Sequence, residues 1–337
     1  MSLLTRWLLD TRALWPGTSI EQAAPSALAL LSPTEQHEVR RKVYIQDARM
    51  SLGSALLKRA YISQTLGIPW RDIKLGRQGD PKHGKPCYVP PDGSPSPIDF
   101  NVSHQAGLVT LVGCDNRSGS RVHVGADIVC VNERDDYRTI DADGFDGWVD
   151  IYAEVFGEEE RWDMKYNVAP DVVRLLDGTE VGGNELGRHD RVCRREQQCK
   201  IRMNDGVEKT VSGELIVEAK LRRFYAFFCY KEAYIKLEGE ALLADWLREL
   251  EFKNVRAPRA GTVARCSTHG TWGERVEDVE VWLKGVRVED TNMELQAFEE
   301  NFMLGTAVKM GRNVQIDELP PWKKLNLEVD VLSSAST

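Results

Sequence analysis

With 337 residues, the chain is long enough for about two domains, or one domain carrying insertions. Hydrophobic residues make up 42% and charged residues 28%, an ordinary soluble composition with enough apolar material for a core without staples. The net charge of −8 excludes nucleic-acid binding by overall charge and leaves room only for a local basic pocket.

The opening run MSLLTRWLLDTRALW is interrupted by Arg6 and Asp10, so it is not read as a signal peptide, and no stretch approaches a membrane span. Cys87, Cys114, Cys130, Cys193, Cys199, Cys229 and Cys266 are odd in number and scattered, with no CxxC pair. That argues against a disulfide framework or a zinc site, and for reduced thiols in the cytoplasm.

Taken in order, residues 34–66 carry helical periodicity through Val39, Val43, Ala48, Leu52, Leu56, Leu57 and Ala60, stopped by Gly67 and Pro69. Residues 72–100 read as a short strand and a Pro/Gly-rich loop. IDFNVSHQAGLVTLVGCD predicts two strands, with SHQAG as a turn or the start of a helix between them. A third strand alternates through Val122, Val124, Ala126 and Ile128. Residues 149–165 are expected to be helical, and 166–213, rich in Gly, Arg and acids, to be a long insertion or loop. A long helix is expected over about 220–250, then short strands across 262–318 and a tail from Leu319. Helix then strands, twice over, suggests an α+β fold of two similar halves.

Three stretches could carry chemistry. In GADIV, Asp127 lies late in an apolar strand; a buried bare carboxylate is costly, so a metal ion, a Lys or an Arg would have to meet it, unless it faces water. In KEAYIK (231–236), Glu232 and Lys236 are four apart and share a helix face. An ordinary surface ion pair there is worth about 0.3–0.5 kcal/mol, but Phe228 and Gly239 flank the same face and make full solvation improbable. Finally, Gly84-Lys85-Pro86 and Phe100-Asn101-Val102-Ser103-His104 bring a cation, a hydroxyl, an imidazole and backbone N–H groups, a set suited to a phosphate. Adjacent Ser and His do not aim at each other, so a nucleophile–base pair is a poor alternative.

In order, GKP, FNVSH, VGADIV and FYAFFCYKEAYIK resemble the 4′-phosphopantetheinyl transferases of the Sfp type, and most of all the fungal broad-range members, across roughly residues 33–255. CVNERDD and GEALLADWLRELEF extend the likeness. The resemblance implies two similar α/β halves related by a pseudo-twofold, residues 1–122 and 123–325, with the active site in the cleft between them, an insertion at about 157–222 and a tail at 326–337. It implies transfer of the phosphopantetheine arm of coenzyme A to a carrier-protein serine, releasing adenosine 3′,5′-bisphosphate. Asp127 and Glu232 match the family's Mg²⁺ ligands, with Mn²⁺ as a substitute ion. Glu232 is also placed to take the serine proton, and Lys236 to stabilise the leaving phosphate.

Ser103 and His104 match residues that hold the 3′-phosphate of coenzyme A, and Ser51 and Lys85 match further contacts to it. Arg77 resembles a basic residue at the adenine end. Pro86, Asn101 and Lys231 complete the coenzyme A set that the resemblance implies. Two positions depart from the family pattern. Val129 stands where many members carry a second acid, so two protein carboxylates are expected, with water completing the shell. Gln46 stands where a cation is common, leaving Arg41 or Arg49 to replace it.

The implied partners are carrier domains of polyketide synthases, nonribosomal peptide synthetases and aminoadipate reductase, met by a cytoplasmic monomer. Leu221, Arg222 and Arg223, or the Arg-rich segment 188–202, are candidate docking surfaces. A non-catalytic coenzyme A or carrier-binding module is the rival, but it would have lost Asp127 or Glu232. A kinase-like phosphotransferase would need a glycine-rich phosphate loop, which GADIVCV and GLVTLVG do not supply.

Overall fold

The computed structural model describes residues 4–80, 84–119, 121–167, 172–174, 180–182, 191–202, 206–240, 244–261, 270–311, 316 and 318–336. The chain begins with β1 (Leu4–Asp10), α1 (Ile20–Ala23), α2 (Pro25–Ala29), α3 (Pro33–Arg40), α4 (Ile45–Leu66), β2 (Leu75–Arg77), β3 (Pro86–Tyr88), β4 (Ile98–Gln105) and β5 (Leu108–Asp115). It continues with β6 (His123–Cys130), α5 (Asp136–Asp150), α6 (Glu158–Tyr166), β7 (Val172–Arg174), β8 (Glu180–Gly182), β9 (Gln198–Arg202), β10 (Glu208–Ser212) and α7 (Gly213–Glu238). Then come β11 (Leu250–Lys253), β12 (Trp272–Val276), β13 (Glu280–Leu283), β14 (Val286–Arg287), β15 (Thr291–Phe298), β16 (Phe302–Lys309) and β17 (Lys323–Lys324). Among the described residues, no helix is long and apolar enough to cross a membrane.

Two four-stranded sheets organise this mixed α+β fold, one in the order β17-β1-β5-β4 and one in the order β12-β15-β16-β6. Each carries a long helix: α4 packs on β4 and β5, and α7 on β6, β15 and β16. The expected helix 34–66 is two helices. Ser32 caps α3 through a reciprocal box with Glu35, with Pro33 at the first position. The chain breaks before α4 at an extended Tyr44, which leaves Val43 88% exposed rather than in the core. Gly67 ends α4 with φ 70° and donates its N–H to the Ser63 carbonyl, as its sequence position suggested.

The segment SHQAG is a two-residue hairpin turn. Gln105 pairs with Leu108, and Ala106 and Gly107 both take positive φ, the geometry that two-residue hairpins favour. Ser103 and His104 therefore sit at the end of strand β4. The long helix runs from 213 to 238, not from 220 to 250. Ser212 caps its start by accepting the Glu214 N–H, and Gly239 ends it with φ 77°. Nearly its whole circumference is buried, which is why its sequence is apolar on all sides. Short strands β7 to β10 occupy part of the expected insertion.

At their shared edge the sheets meet through side chains. Asp99 accepts the Val124 N–H at 2.8 Å, and Asn101 accepts the Ala126 N–H at 3.1 Å. These bonds satisfy the N–H groups that β6 turns away from β16 and fix its height against β4. The C-terminal segment is not a loose tail. β17 pairs parallel with β1, and Leu325, Leu327 and Val331 are buried in the core under α4.

Candidate active site

The candidate site lies where β4, β6 and α7 converge. β6 can approach α7 because residue 125 is glycine: a Cβ there would overlap the carbonyl oxygen of Ala233. Gly305, paired with Asp127 across β16, plays the same part beneath Cys229, whose sulfur would lie 2.8 Å from an added Cβ. The close approach presses the Asp127 carboxylate against α7, where it is 4% exposed. Val129, on the same side of the strand, is buried in the apolar core with α7 and offers no ligand.

Four side chains meet there. Lys236 Nζ lies 2.5 Å from Asp127 Oδ1 and 3.6 Å from Glu232 Oε2, and donates to Ser103 Oγ at 3.1 Å. Ser103 Oγ–H donates in turn to Asp127 Oδ1 at 2.8 Å. Glu232 and Lys236 are partly open, at 13% and 27%. Burial pushes the Glu232 carboxyl above the usual carboxylate range and Asp127 adds to this, while Lys236 offsets only part of it. Burial alone would lower the Lys236 ammonium, but Asp127 and Glu232 outweigh it and hold it above its ordinary value.

His104 stands next to Ser103 at the exposed rim. Desolvation of the ring on its inner side and the nearby ammonium groups of Lys236, Lys42 and Lys58 hold its pKa below the ordinary imidazole value. A neutral imidazole with ammonium groups acting on it suits an anionic ligand.

Asp127, buried, and Glu232, partly open, share one ammonium, and such a pair could hold a Mg²⁺ ion, which takes one or two protein carboxylates and fills its shell with phosphate oxygens and water. Among the described residues no group of three or more His, Cys, Asp or Glu side chains is placed to hold a metal ion.

Several expected site residues are placed elsewhere. Lys231 leaves α7 on another face and is fully buried. Its ammonium donates to Glu160 Oε2 at 2.6 Å and to the carbonyls of Val155 and Leu247 at 3.1 and 3.3 Å. All three donors are used, so it cannot bind coenzyme A; it ties α7 to α6. Lys85 is likewise buried, ion-paired with Asp99 and donating to the Val124 carbonyl at 2.6 Å. Its charge is spent at the sheet junction rather than on a phosphate. Asn101 serves the same junction. Pro86 opens β3 beside it, Arg77 is exposed on β2, and Ser51 is half-buried on α4.

Arg41 pairs with Glu38 at 2.6 Å, and Arg49 donates to the Trp15 and Gly17 carbonyls at 3.2 and 3.3 Å. Leu221, Arg222 and Arg223 lie within α7 and are buried. Arg222 donates to the Glu300 carbonyl at 2.6 Å and Arg223 to the Val255 carbonyl at 2.8 Å, so they form no docking surface. Of the Arg-rich segment, residues 188–190 lie outside the described residues, and Arg195 pairs with Asp141.

Sequence composition did not single out Gly125, Gly305 or Asp99. The signal was present for Asp99, which shares strand parity with Asn101 and Ser103.

Two acids, a lysine and Ser103 thus meet where β4, β6 and α7 converge, with His104 the next residue along β4. Comparison with known proteins identifies the class. The model of the N-terminal region of 4′-phosphopantetheinyl transferases matches residues 15–116. A 4′-phosphopantetheinyl transferase of Aureobasidium melanogenum is 64% identical, over 99% of this chain and 98% of that protein. 4′-Phosphopantetheinyl transferase A of Aspergillus fumigatus is 34% identical over 99% of this chain and 94% of that protein. An L-aminoadipate-semialdehyde dehydrogenase-phosphopantetheinyl transferase of Schizosaccharomyces pombe is 33% identical over 37% of this chain and 47% of that protein. The chain belongs to the 4′-phosphopantetheinyl transferase family and is a transferase, similar throughout its length to fungal members.

Proposed function

We propose that Asp127, Glu232, Lys236, Ser103 and His104 carry out the transfer of phosphopantetheine from coenzyme A to a carrier-protein serine. The observation that supports this most is the single ammonium, Lys236, shared by Asp127, Glu232 and Ser103. Asp127 and Glu232 would hold Mg²⁺, or Mn²⁺ in its place, and the ion supplies charge neutralisation on the diphosphate. Glu232, raised above the ordinary carboxylate range, accepts the serine proton as the hydroxyl oxygen forms its bond to the pantetheine-bearing phosphorus. The bond from that phosphorus to the bridging oxygen breaks, and adenosine 3′,5′-bisphosphate leaves with the electron pair. Lys236 follows the charge that builds on the leaving phosphate, and Ser103 and His104 hold coenzyme A phosphates at the rim.

The carriers are domains of polyketide synthases, nonribosomal peptide synthetases and aminoadipate reductase; the similarity to L-aminoadipate-semialdehyde dehydrogenase-phosphopantetheinyl transferases supports the last of these. On this reading the enzyme acts as a monomer. The enzyme on this reading is cytoplasmic, where its scattered cysteines would stay reduced. A non-catalytic binding module is not favoured, because both acids are present and share the Lys236 ammonium.

Intact-protein mass spectrometry tests the assignment. An apo carrier domain mixed with coenzyme A and Mg²⁺ should gain one phosphopantetheinyl group, and lose that gain with EDTA or with Asp127→Ala. A full gain by Asp127→Ala would overturn the metal site.

A further inference from the structure

A second cationic cluster lies across β4 from Asp127. Asp99, Asn101 and Ser103 turn toward β6, whereas Phe100 and Val102 pack into the core under α4. His104 has the parity of Phe100 and Val102 and therefore leaves the strand on the α4 side. Met50 of α4 accepts the Gly107 N–H at 3.2 Å, which pins this part of the helix against the β4–β5 turn. Ser51, Ser54 and Lys58 are the half-open positions on an otherwise buried stretch of α4. Spaced by three and four, they form one helix face.

Lys58 has no counter-ion of its own. Glu35, the carboxylate that acts on it, is taken by Arg59 at 2.6 Å and by the Ser32 hydroxyl at 2.6 Å. Among the described residues, no hydrogen bond or ion pair reaches the Lys58 ammonium. Arg77, close enough to act on Lys58, is exposed; its guanidinium donates to the Gly84 carbonyl at 2.8 Å and meets no described carboxylate. Lys42 is exposed as well, and both it and Lys58 act on His104. Asp47, one turn before Ser51, is the carboxylate that faces His104 from α4. Lys42 and Lys58, together with Lys236 of α7, thus act on one imidazole against a single acid, Asp47, and a half-buried unpaired ammonium is unfavourable until an anion meets it.

We infer that Lys58 is a binding residue for the 3′-phosphate of coenzyme A and sets the enzyme's preference for coenzyme A over its 3′-dephospho form. It supplies the charge that Arg41 and Arg49, bound to Glu38 and to backbone carbonyls, do not. This rests on the assignment of His104 and Ser51 to that phosphate.

The test is steady-state transfer by the full chain to an apo carrier domain, with coenzyme A and with 3′-dephospho-coenzyme A. Lys58→Met should lower kcat/KM for coenzyme A by about 10- to 100-fold, the loss of one charge-assisted contact to phosphate, mainly through KM. It should leave kcat/KM for the dephospho substrate within about twofold, which also reports that the variant is folded. Lys58→Arg should retain most of the preference. An equal loss on both substrates, or no loss on either, would overturn the role of Lys58 while the wild type still discriminates. A wild type that uses both substrates equally would instead overturn the 3′-phosphate site itself.

Discussion

Lys231→Met separates the two lysines of KEAYIK. The wild-type ammonium is 0% exposed and meets Glu160, itself 4% exposed, at 2.6 Å. It also lies 4.7 Å from the centre of the Phe156 ring. Methionine preserves the volume but leaves Glu160 buried without its cation, a change that costs about 3–5 kcal/mol. Glu160 keeps two backbone donors, Phe252 N–H at 3.1 Å and Gly157 N–H at 3.3 Å, which places the expected loss near the lower end, about 3 kcal/mol. For 337 residues, an unfolding entropy of about 2.1 cal/mol/K per residue sums to about 0.7 kcal/mol/K, so the thermal midpoint should fall by about 4 °C.

Burial pushes the Glu160 carboxyl above its ordinary range even with Lys231 present. Without the lysine that upward shift grows. The folded variant then binds a proton that the unfolded chain has lost, so its stability relative to wild type should fall as pH rises above the ordinary carboxylate range. Adding Glu160→Gln should recover most of the loss. The assay is thermal unfolding followed by circular dichroism, paired with KM for coenzyme A. A raised KM with an unchanged midpoint would refute the structural role and return Lys231 to the coenzyme A site.

Three further outcomes are expected. Glu232→Gln should bind coenzyme A nearly as wild type by isothermal calorimetry yet give no carrier mass gain; wild-type turnover would remove it from the chemistry. Gly125→Ala should destabilise by about 1–3 kcal/mol or more through overpacking against Ala233 and reduce transfer by displacing Asp127 from Glu232, so an unchanged urea midpoint would contradict the close approach of β6 to α7. His104, held below the ordinary imidazole value, is neutral near pH 7. KM for coenzyme A should therefore fall as pH drops through the His104 pKa and an imidazolium forms for the phosphate. A pH profile identical in His104→Gln would show that another group is responsible.

The residues that the sequence placed well are those whose partners follow from local spacing. Glu232 and Lys236, four apart, share a face and meet at 3.6 Å. Gly67 stops its helix, and the alternation of GADIV turns Asp127 away from the apolar residues beside it. The misplacements concern charges whose partners lie far along the chain. Lys231 is one residue from Glu232, and a helix turns about 100° in that step, enough to carry it from the open face to Glu160. Arg222 and Arg223, expected at a basic docking edge, donate hydrogen bonds to the carbonyls of residues 300 and 255. Lys85 does so across the sheet junction.

A helix buried on nearly every side keeps its basic residues only by delivering each to an internal acceptor, because an unpaired buried cation is too costly. Basic residues in an apolar helix therefore indicate internal acceptors as readily as external ligands, and the two are told apart by which charges are left without one. By that criterion Lys58 of α4 is the cation left for a substrate anion, whereas Lys236 of α7, which has internal partners in Asp127, Glu232 and Ser103, stands apart only by its partial exposure beside two carboxylates.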